Sequence, residues 1–259
     1  MNKKYSDIKE KLQIEVEKEN DNQLAHLTHY FQNNKNGVSQ HFKVKAKYCL
    51  EDLHNQYKIL EEPEFQYYLP IDWDIPFPPP KKVSFKFIDL FAGIGGFRIP
   101  MQEIGGKCVF SSEFNNHAQR AYELNFGEVP FGDITKIDLN IVPEHNVLCA
   151  GFPCQPFSIS GKMKGFEDTR GTLIYQVFKI IEKRKPKVVL LENVKHLVYH
   201  DKKRTLATIV KHLEEMGYHV SKKVLNASDF GVPQNRERII IVANLDKKFD
   251  FDKIKTKTK

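Results

Sequence analysis

The chain has 259 residues, 41% of them hydrophobic, so it can bury the core of one large domain and still carry an extension. No apolar run approaches the roughly 20 residues that a membrane span needs, and the N-terminus lacks the apolar centre of a secretory signal. The formal net charge of +7 favours a polyanionic partner such as nucleic acid, but charge alone does not establish one.

The cysteines show neither a CxxC pair nor metal-ligand spacing with histidine. They lie at Cys49, Cys108, Cys149 and Cys154. A disulfide framework is not expected in so long a chain, so we predict a reducing cytoplasm, no metal site and no membrane association.

Residues 1–82 differ from the rest because Lys, Glu, Asn, Gln and His dominate them, and their opening predicts a charged helix. They close with "IPFPPPKK", whose proline cluster favours extended, semi-rigid backbone. We therefore place a domain boundary after residue 82. The segment before it is interpreted as a solvated helical extension, with a DNA-contacting or partner-binding arm as the alternative.

From residue 83 to residue 245, strand and helix signals alternate. Strands are predicted at 85–90, 107–113, 146–151, 187–193, 218–226 and 237–245, and helices at 97–105, 116–126, 171–184 and 204–217. This alternation predicts an α/β fold, a Rossmann-like and mostly parallel sheet with helices on both faces. Residues 246–259 remain as a short basic tail.

The stretch "DLFAGIGG" follows the first strand of this domain, and its glycines permit a tight turn and close approach of the backbone to a ligand. Glu113 ends the next strand, 20 residues after Gly93, where an acid can accept hydrogen bonds from ribose hydroxyls. The pair predicts a nucleoside-containing cofactor. The turn departs from G-x-G-x-x-G, which weakens a dinucleotide interpretation.

Asp133 lies in "FGDI", where a third strand should end. Its carboxylate could accept a hydrogen bond from the exocyclic amino group of an adenine. An ordinary helix N-cap is the alternative interpretation.

Cys154 lies in "GFPCQPFS", just past the end of a buried strand that contains Cys149. Pro153 and Pro156 limit the conformations of this loop. A lone cysteine is usually a small buried hydrophobe, and we expect that of Cys149. Since ligands bind beyond the carboxyl ends of strands, Cys154 is instead predicted to be a nucleophile.

In "VVLLENV", an apolar run delivers Glu192 and Asn193 to the same edge of the sheet, and the topology makes this loop a neighbour of the one that carries Cys154. A carboxylate there can move a proton for a cysteine nucleophile. Further on, "QNRER" contains Arg236 and Arg238, which share a face in extended backbone and suit phosphate or carboxylate recognition. An ion pair with Glu237 or Asp229 is the alternative.

Together these motifs resemble the C5-cytosine DNA methyltransferase family. The stretches "DLFAGIGGF", "GFPCQPFS", "RGTL", "ENV" and "QNRER" stand in the family's order between about residues 85 and 245. The layout and the long N-terminal segment look most like the bacterial Dcm-type enzymes. The resemblance implies a bacterial enzyme that methylates cytosine in double-stranded DNA through a covalent cysteine intermediate, on a base flipped out of the duplex.

The resemblance also implies a cofactor, S-adenosyl-L-methionine, and a role for each matched residue. The cofactor would contact Phe91, Gly93, Gly95 and Gly96 at its methionine end, Glu113 at its ribose, and Phe114, Asp133 and Ile134 at its adenine, with Pro153 and Leu173 completing the set. In catalysis Cys154 would be the nucleophile, Glu192 would face N3 of the cytosine, and Arg236 and Arg238 would orient the flipped base and the catalytic loop.

Family members continue past this point with a target-recognition region and a "GNSV"-type segment that completes the cofactor pocket, and neither is found in this sequence. We therefore expect the catalytic subunit of a split restriction-modification methyltransferase, completed by a second polypeptide. A truncated remnant and a deliberately shortened chain are the alternatives.

Three rival functions stay open at this point. The first is a branch of the family that methylates cytosine in tRNA. The second is a non-catalytic binding module that keeps the fold, although the retention of Cys154 and Glu192 argues against decay of the site. The third is a nicotinamide-dependent dehydrogenase, which accounts for the glycine turn and leaves Cys154 without a role.

Overall fold

The computed structural model describes residues 3–12, 22–33, 38–57, 71–72, 74–153 and 173–257. The chain divides into two compact units, Met1–His145 and Asn146–Lys259. Strands and helices alternate in both, which confirms the predicted α/β class. The division falls inside the segment predicted to be one catalytic domain, and the predicted boundary after residue 82 separates no compact unit.

The first unit contains two pairs of parallel strands. Its elements are β1 (Lys3–Lys4), α1 (Tyr5–Leu12), α2 (Asn22–Gln32), α3 (Gln40–Tyr57), β2 (Ile71–Asp72), β3 (Phe85–Leu90), α4 (Arg98–Glu103), β4 (Gly106–Ser112), α5 (Asn116–Phe126) and a short 3-10 turn at Leu139–Ile141. Lys3 lies opposite Ile71 in the short pair. In the longer pair Phe85 lies opposite Gly106, and the register shifts after Phe87.

Helix α5 has clear sequence signals at both ends. The side chain of Asn115 accepts a hydrogen bond from the backbone N–H of Ala118, which satisfies one of the free donors of the first turn. Gly127 ends the helix in the left-handed conformation at φ 64°, and its N–H donates to the carbonyl of Glu123. These caps explain why the predicted range, 116–126, agrees with the observed one.

Helix α2 is part of the core of the first unit. Leu27 and Phe31 are buried, and so are His29 and Gln32 on the same helix. The ring of His29 lies 4.7 Å from that of Phe131 and 5.9 Å from that of Phe110, centroid to centroid. The interpretation of residues 1–82 as a solvated extension is therefore wrong for α2.

A charged network lies in the same core. Arg98 is fully buried and donates from Nη1 to Glu128 Oε1 at 2.7 Å and to the Tyr122 hydroxyl at 3.0 Å. The Ser111 hydroxyl donates to the same Glu128 oxygen at 2.8 Å. Burial raises the pKa of Glu128, but Arg98 and the other cations around it outweigh this, so that pKa lies below its usual value. Glu128 is therefore held as a carboxylate beside the guanidinium.

The second unit contains parallel and antiparallel strand pairs. Its elements are β5 (Val147–Ala150), α6 (Leu173–Arg184), β6 (Val188–Val194), α7 (Arg204–Glu215), β7 (His219–Asn226) and β8 (Glu237–Asn244), with 3-10 turns at Lys195–Val198, His200–Lys203, Ala227–Phe230 and Phe251–Lys253. Strand β5 pairs with β6 in parallel, and β8 runs antiparallel to both β6 and β7. Helix α7 turns Leu206, Ile209 and Leu213 inward, at the spacing of one helix face.

The sequence did not predict the reversed direction of β8. The segment between β7 and β8 holds a 3-10 turn at Ala227–Phe230 but no crossover helix. A connection of this length joins antiparallel neighbours, whereas a parallel pair needs a dozen or more residues, usually with a helix. The sheet is therefore mixed, which refines the predicted mostly parallel arrangement.

The predicted basic tail, within its described residues 246–257, contacts the second unit at several points. Lys223 of β7 forms an ion pair with Asp252 at 2.9 Å, and the backbone N–H of Lys257 donates to the carbonyl of Asp229 at 2.9 Å. The tail is therefore tied to the second unit at Asp252 and Lys257. None of the helices in the described ranges combines the length and the apolar character needed to cross a bilayer.

Candidate active site

In the first unit, the candidate cofactor residues begin at the turn that follows β3. Phe91 and Gly93 have positive φ angles of 53° and 57°, and Gly95 has one of 97°. A Cβ added at Gly95 would lie 2.1 Å from the Phe126 ring, so this position requires glycine, whereas at Gly96 it would meet open space. The predicted tight turn is confirmed, and a non-glycine residue in the left-handed region is typical of functional sites.

Glu113 directly follows β4 and holds this turn. Its Oε2 accepts a hydrogen bond from the backbone N–H of Gly93 at 2.8 Å, and its Oε1 accepts one from the N–H of Asn115 at 2.7 Å. The structure thus brings together the acid and the glycine turn that the sequence singled out. Each carboxylate oxygen keeps a further lone pair, so Glu113 can still accept hydrogen bonds from a ligand.

The side chains next to Glu113 leave an apolar surface open. Phe114 is 67% exposed and Ile94 is 62% exposed. A large exposed aromatic ring beside a carboxylate suits a nucleoside, because the base can stack on the ring while the sugar hydroxyls donate hydrogen bonds to the carboxylate. These residues therefore fit a nucleoside such as the adenosine of S-adenosylmethionine.

The structure corrects the expected setting of Asp133. No third strand precedes it, because Phe131 forms only an isolated parallel bridge with Ser112. Asp133 Oδ1 accepts hydrogen bonds from the backbone N–H of Thr135 at 2.9 Å and from its hydroxyl at 2.8 Å. This is a side-chain turn of the kind that aspartate favours, and the neighbouring Ile134 is buried.

Asp89, at the end of β3, is a feature that sequence analysis did not single out. It is fully buried, and neither of its oxygens has a hydrogen-bond partner among the described residues. Burial raises the pKa of Asp89 well above its usual range. The only signal in the sequence was a carboxylate inside an otherwise apolar strand.

In the second unit, the candidate catalytic residues follow β5 and β6. These strands are parallel neighbours, with Ala150 opposite Leu191, so the segments beyond their carboxyl ends start side by side. The predicted proximity of the two loops themselves stays a prediction. Residues 154–172, which include Cys154 and most of "RGTL", lie outside the described residues. Pro153 is exposed at the last described position before them, and Leu173 opens α6.

Asn193 ties these two segments together. It is buried, and its Nδ2 donates to the carbonyl of Phe152 at 2.8 Å. Its Oδ1 accepts from the backbone N–H of Val194 at 2.8 Å. The sequence placed Asn193 at this edge, and the structure adds that it holds the backbone two residues before Cys154.

Glu192 and Arg238 form an ion pair, with Nε 2.9 Å from Oε1 and both side chains 26% exposed. Glu192 lies opposite Ile240 in the β6–β8 register, two residues from Arg238, which makes the charged pair a diagonal neighbour. Lys195 is the residue that pairs with Glu237, at 2.8 Å. The alternative expectation that Glu237 pairs with an arginine of "QNRER" is therefore wrong.

Arg236 lies just before β8 and is exposed. Its backbone is fixed on both sides, because its N–H donates to Asn226 Oδ1 at 2.9 Å and its carbonyl accepts from the N–H of Ala227 at 3.1 Å. The backbone of Arg236 is thus held by hydrogen bonds two residues before Arg238.

Cys108 and Cys149 are both buried. Burial raises the pKa of Cys108 to about 12, so its thiolate is scarce at neutral pH. The structure thus gives neither of them the exposure that a nucleophile needs. Within the described ranges, no three His, Cys, Asp or Glu side chains lie close enough together to hold a metal ion.

The geometry joins a glycine turn to the acid that follows the next strand, and it starts the segment before Cys154 beside the strand end that bears Glu192. The sequence model of the family described as "C-5 cytosine-specific DNA methylase" matches residues 85–259. The chain belongs to this family, which confirms the resemblance.

Curated relatives agree with this assignment. The chain is similar to the type II methyltransferase M.DsaV of Dactylococcopsis salina, 56% identical over 178 residues, which cover 67% of this chain and 51% of that protein. It is also similar to the type II methyltransferase M.HpaII of Haemophilus parainfluenzae, 56% identical over 188 residues, or 71% and 52% of the two chains. The chain thus spans about half the length of the curated relatives it matches.

Among solved structures, the crystal structure of S. pombe Dnmt2 methyltransferase superposes with a TM-score of 0.53 at 22% identity. The match covers 65% of this chain and 53% of that one. At this identity the likeness shows the fold alone, and that fold is the methyltransferase fold predicted from the sequence.

Proposed function

We propose that this chain carries the catalytic half of a DNA (cytosine-5)-methyltransferase, which transfers a methyl group from S-adenosylmethionine to carbon 5 of cytosine in double-stranded DNA. Family membership supports the reaction class. The observation that carries the proposal is the parallel pairing of β5 with β6, because it starts the Cys154 loop beside the strand end that bears Glu192 and Asn193.

The first unit supplies residues that fit the cofactor. Glu113 would accept hydrogen bonds from the ribose hydroxyls, and the exposed ring of Phe114 would stack on the adenine. Asp133 would accept a hydrogen bond from the amino group of the adenine, with Ile134 beside it. The positive φ angles at Phe91 and Gly93 let the backbone approach the methionine end closely. When bound, S-adenosylmethionine supplies an electrophilic methyl group.

The second unit supplies the nucleophile. Carbon 5 of cytosine is poorly nucleophilic until a group adds to carbon 6. The Cys154 thiolate would form a bond to carbon 6, which moves the ring's electrons toward carbon 5 as an enamine. Removal of the proton from carbon 5 after methylation would then restore the double bond and release the thiolate.

Glu192 would promote the thiolate's attack. A hydrogen bond or proton from its carboxyl group at N3 withdraws electrons from the ring and favours addition at carbon 6. Arg238 already touches Glu192, so it orients this carboxyl, and Arg236 would contact the flipped nucleotide or its phosphate. The target carbon cannot be reached inside a stacked duplex, so the base must leave the helix.

The remaining requirement is recognition of the target sequence. The chain spans about half the length of its curated relatives, so we propose that the residues that read the target lie outside it. They are either part of a longer polypeptide or, as the sequence led us to expect, on a second chain that binds this one.

The test measures transfer of a labelled methyl group to DNA, with the recognition residues supplied on the same or on a second polypeptide. Cys154→Ser should lower the rate by about 1,000-fold or more, because the hydroxyl is a far weaker nucleophile than the thiolate. Cys149→Ala, a change of a buried cysteine, is the matched control and should keep its rate per folded molecule.

Two further arms sharpen this test. DNA that contains 5-fluorocytosine should give a stable covalent complex with the parent protein and none with Cys154→Ser, because the fluorine at carbon 5 cannot leave as a proton does. A pool of tRNA offered in place of DNA distinguishes the RNA-acting alternative. Undiminished transfer by Cys154→Ser would contradict the proposed nucleophile.

A further inference from the structure

Helix α2 runs alongside the segment 126–132 in the opposite direction and is bonded to it at three points. Gln32 Nε2 donates to the carbonyl of Phe126 at 2.7 Å. The N–H of Val129 donates to the Thr28 hydroxyl at 3.0 Å, and the N–H of Gly132 donates to Asn22 Oδ1 at 3.1 Å. Side chains of the helix thus bond the backbone of this segment from one end to the other.

The hydrogen bond from Gly132 to Asn22 lies next to the candidate cofactor residues of the first unit. Gly132 immediately precedes Asp133 in the chain. Its carbonyl accepts a hydrogen bond from the Ser112 hydroxyl at 2.9 Å, and Ser112 is the residue before Glu113. Gly132 is therefore held from two sides, by β4 through Ser112 and by α2 through Asn22.

The Gln32 end lies elsewhere. Gln32 Oε1 accepts from Lys107 Nζ at 3.0 Å, and Lys107 is at the opposite end of β4 from Glu113. Along the extended strand β4, Lys107 lies about 13 Å from Ser111, which is the residue before Ser112. The two ends of α2 therefore differ in their distance from Asp133, although both anchor the same helix.

We propose that α2 is a positioning element of the cofactor site, and that Asn22 fixes the backbone at Gly132 so that the carboxylate of Asp133 meets the amino group of the adenine. The inference rests on the proposed function, since it assigns Asp133 to the adenine. Asn22 touches no ligand itself and acts through Gly132.

The test compares variants of the full chain by titration calorimetry with S-adenosylhomocysteine, without an activity measurement. Asn22→Ala removes the acceptor of Gly132 and should weaken binding by about 3- to 10-fold. Asn22→Asp keeps an oxygen acceptor and should bind like the parent protein. Gln32→Ala removes an anchor of the same helix far from Asp133, so it should lower the melting temperature and leave the affinity unchanged.

A second ligand separates positioning from general loosening. S-inosylhomocysteine has a carbonyl in place of the amino group, so the exocyclic donor that would meet Asp133 is replaced by an acceptor. The parent protein should prefer the adenosyl ligand by about tenfold, the worth of one good hydrogen bond. Asn22→Ala should narrow that preference, because it displaces the acceptor that distinguishes the two ligands.

The outcomes are distinct. Affinity lost in Asn22→Ala, restored in Asn22→Asp and unchanged in Gln32→Ala supports the proposal. It is overturned by an unchanged affinity in Asn22→Ala, by equal losses in Asn22→Ala and Gln32→Ala, or by equal losses for both ligands. Binding of neither ligand by the parent protein, measured with the completing residues supplied on the same or on a second polypeptide, overturns the proposed cofactor site and this inference with it.

Discussion

At the scale of single residues, Glu113 is already engaged before any ligand binds. Its two carboxylate oxygens accept hydrogen bonds from the N–H groups of Gly93 and Asn115, so Glu113 helps to hold the glycine turn in place. A ligand that binds Glu113 therefore meets a carboxylate that is already in position, so ordering this side chain costs little binding free energy.

Glu113→Ala should weaken binding of S-adenosylhomocysteine by about 10- to 150-fold, because it removes a charge-assisted acceptor and also releases the turn at Gly93. Glu113→Gln keeps one acceptor oxygen and should show a smaller loss. Calorimetry provides the measurement. Glu103→Ala, which removes an exposed carboxylate at the end of α4 in the same unit, is the control and should bind like the parent. Equal affinities for Glu113→Ala and Glu103→Ala would remove Glu113 from the pocket.

The sequence located several site residues because each stands at the end of a strand. Glu113 and Glu192 are examples, and the neighbourhood of the Cys154 and Glu192 loops followed from strand pairing. The partner of Arg238 could not be predicted in the same way. Its contact with Glu192 depends on the antiparallel register of β8, which places side chains together that are 46 residues apart.

At the scale of elements, the turn before α7 is unusual. Asp201, Lys202 and Lys203 have φ angles of 48°, 53° and 72°, three successive left-handed residues without a glycine. Each costs about 1–2 kcal/mol relative to right-handed backbone. Lys203 also occupies the N-cap of α7 and makes no side-chain cap bond there.

Lys203→Gly should raise the free energy of unfolding by about 0.5–1 kcal/mol, because glycine adopts this conformation without strain but loses more chain entropy on folding. Urea unfolding of the full chain measures it. The control is Lys211→Gly in the exposed interior of α7, which should lower stability by about 1 kcal/mol. A loss of stability in Lys203→Gly as well would show that the turn is not strained.

The elements of the methyltransferase region were predictable because their apolar periodicity and caps are local signals, and the predicted bounds differ from the observed ones by only a residue or two. Helix α2 was not predictable as core. Its buried face includes His29, Thr28 and Gln32. From the sequence alone, such polar residues predict a solvent-exposed face. Their burial is stabilised by hydrogen-bond partners 82 to 101 residues away, which no local pattern reveals.

At the scale of the whole molecule, the N-terminal segment is a component of the first unit. Leu27 of α2 is fully buried in that unit, whereas Tyr48 of α3 is 68% exposed. The two positions offer a direct comparison between a core helix and a solvated extension.

Leu27→Asp should lower the free energy of unfolding by about 3 kcal/mol or more, because it buries an unpaired carboxylate in an apolar site. Tyr48→Asp, also an apolar-to-acidic change, should stay within about 0.5 kcal/mol of the parent. Thermal and urea unfolding followed by circular dichroism give the comparison. Similar stabilities for the two variants would restore the interpretation of residues 1–82 as an appendage.

The long sequence separation of the α2 contacts has a consequence for synthesis in the cell. Asn22 bonds a glycine that is 110 residues further along the chain. At ribosomal rates of roughly 5–20 residues per second, α2 leaves the exit tunnel roughly 5–20 s before this last partner leaves it. In that interval Leu27 and Phe31, buried in the finished protein, face solvent or a chaperone. Helix α2 is therefore translated early but packs late. We expect folding to be slow, as in other chains rich in contacts between residues far apart in sequence.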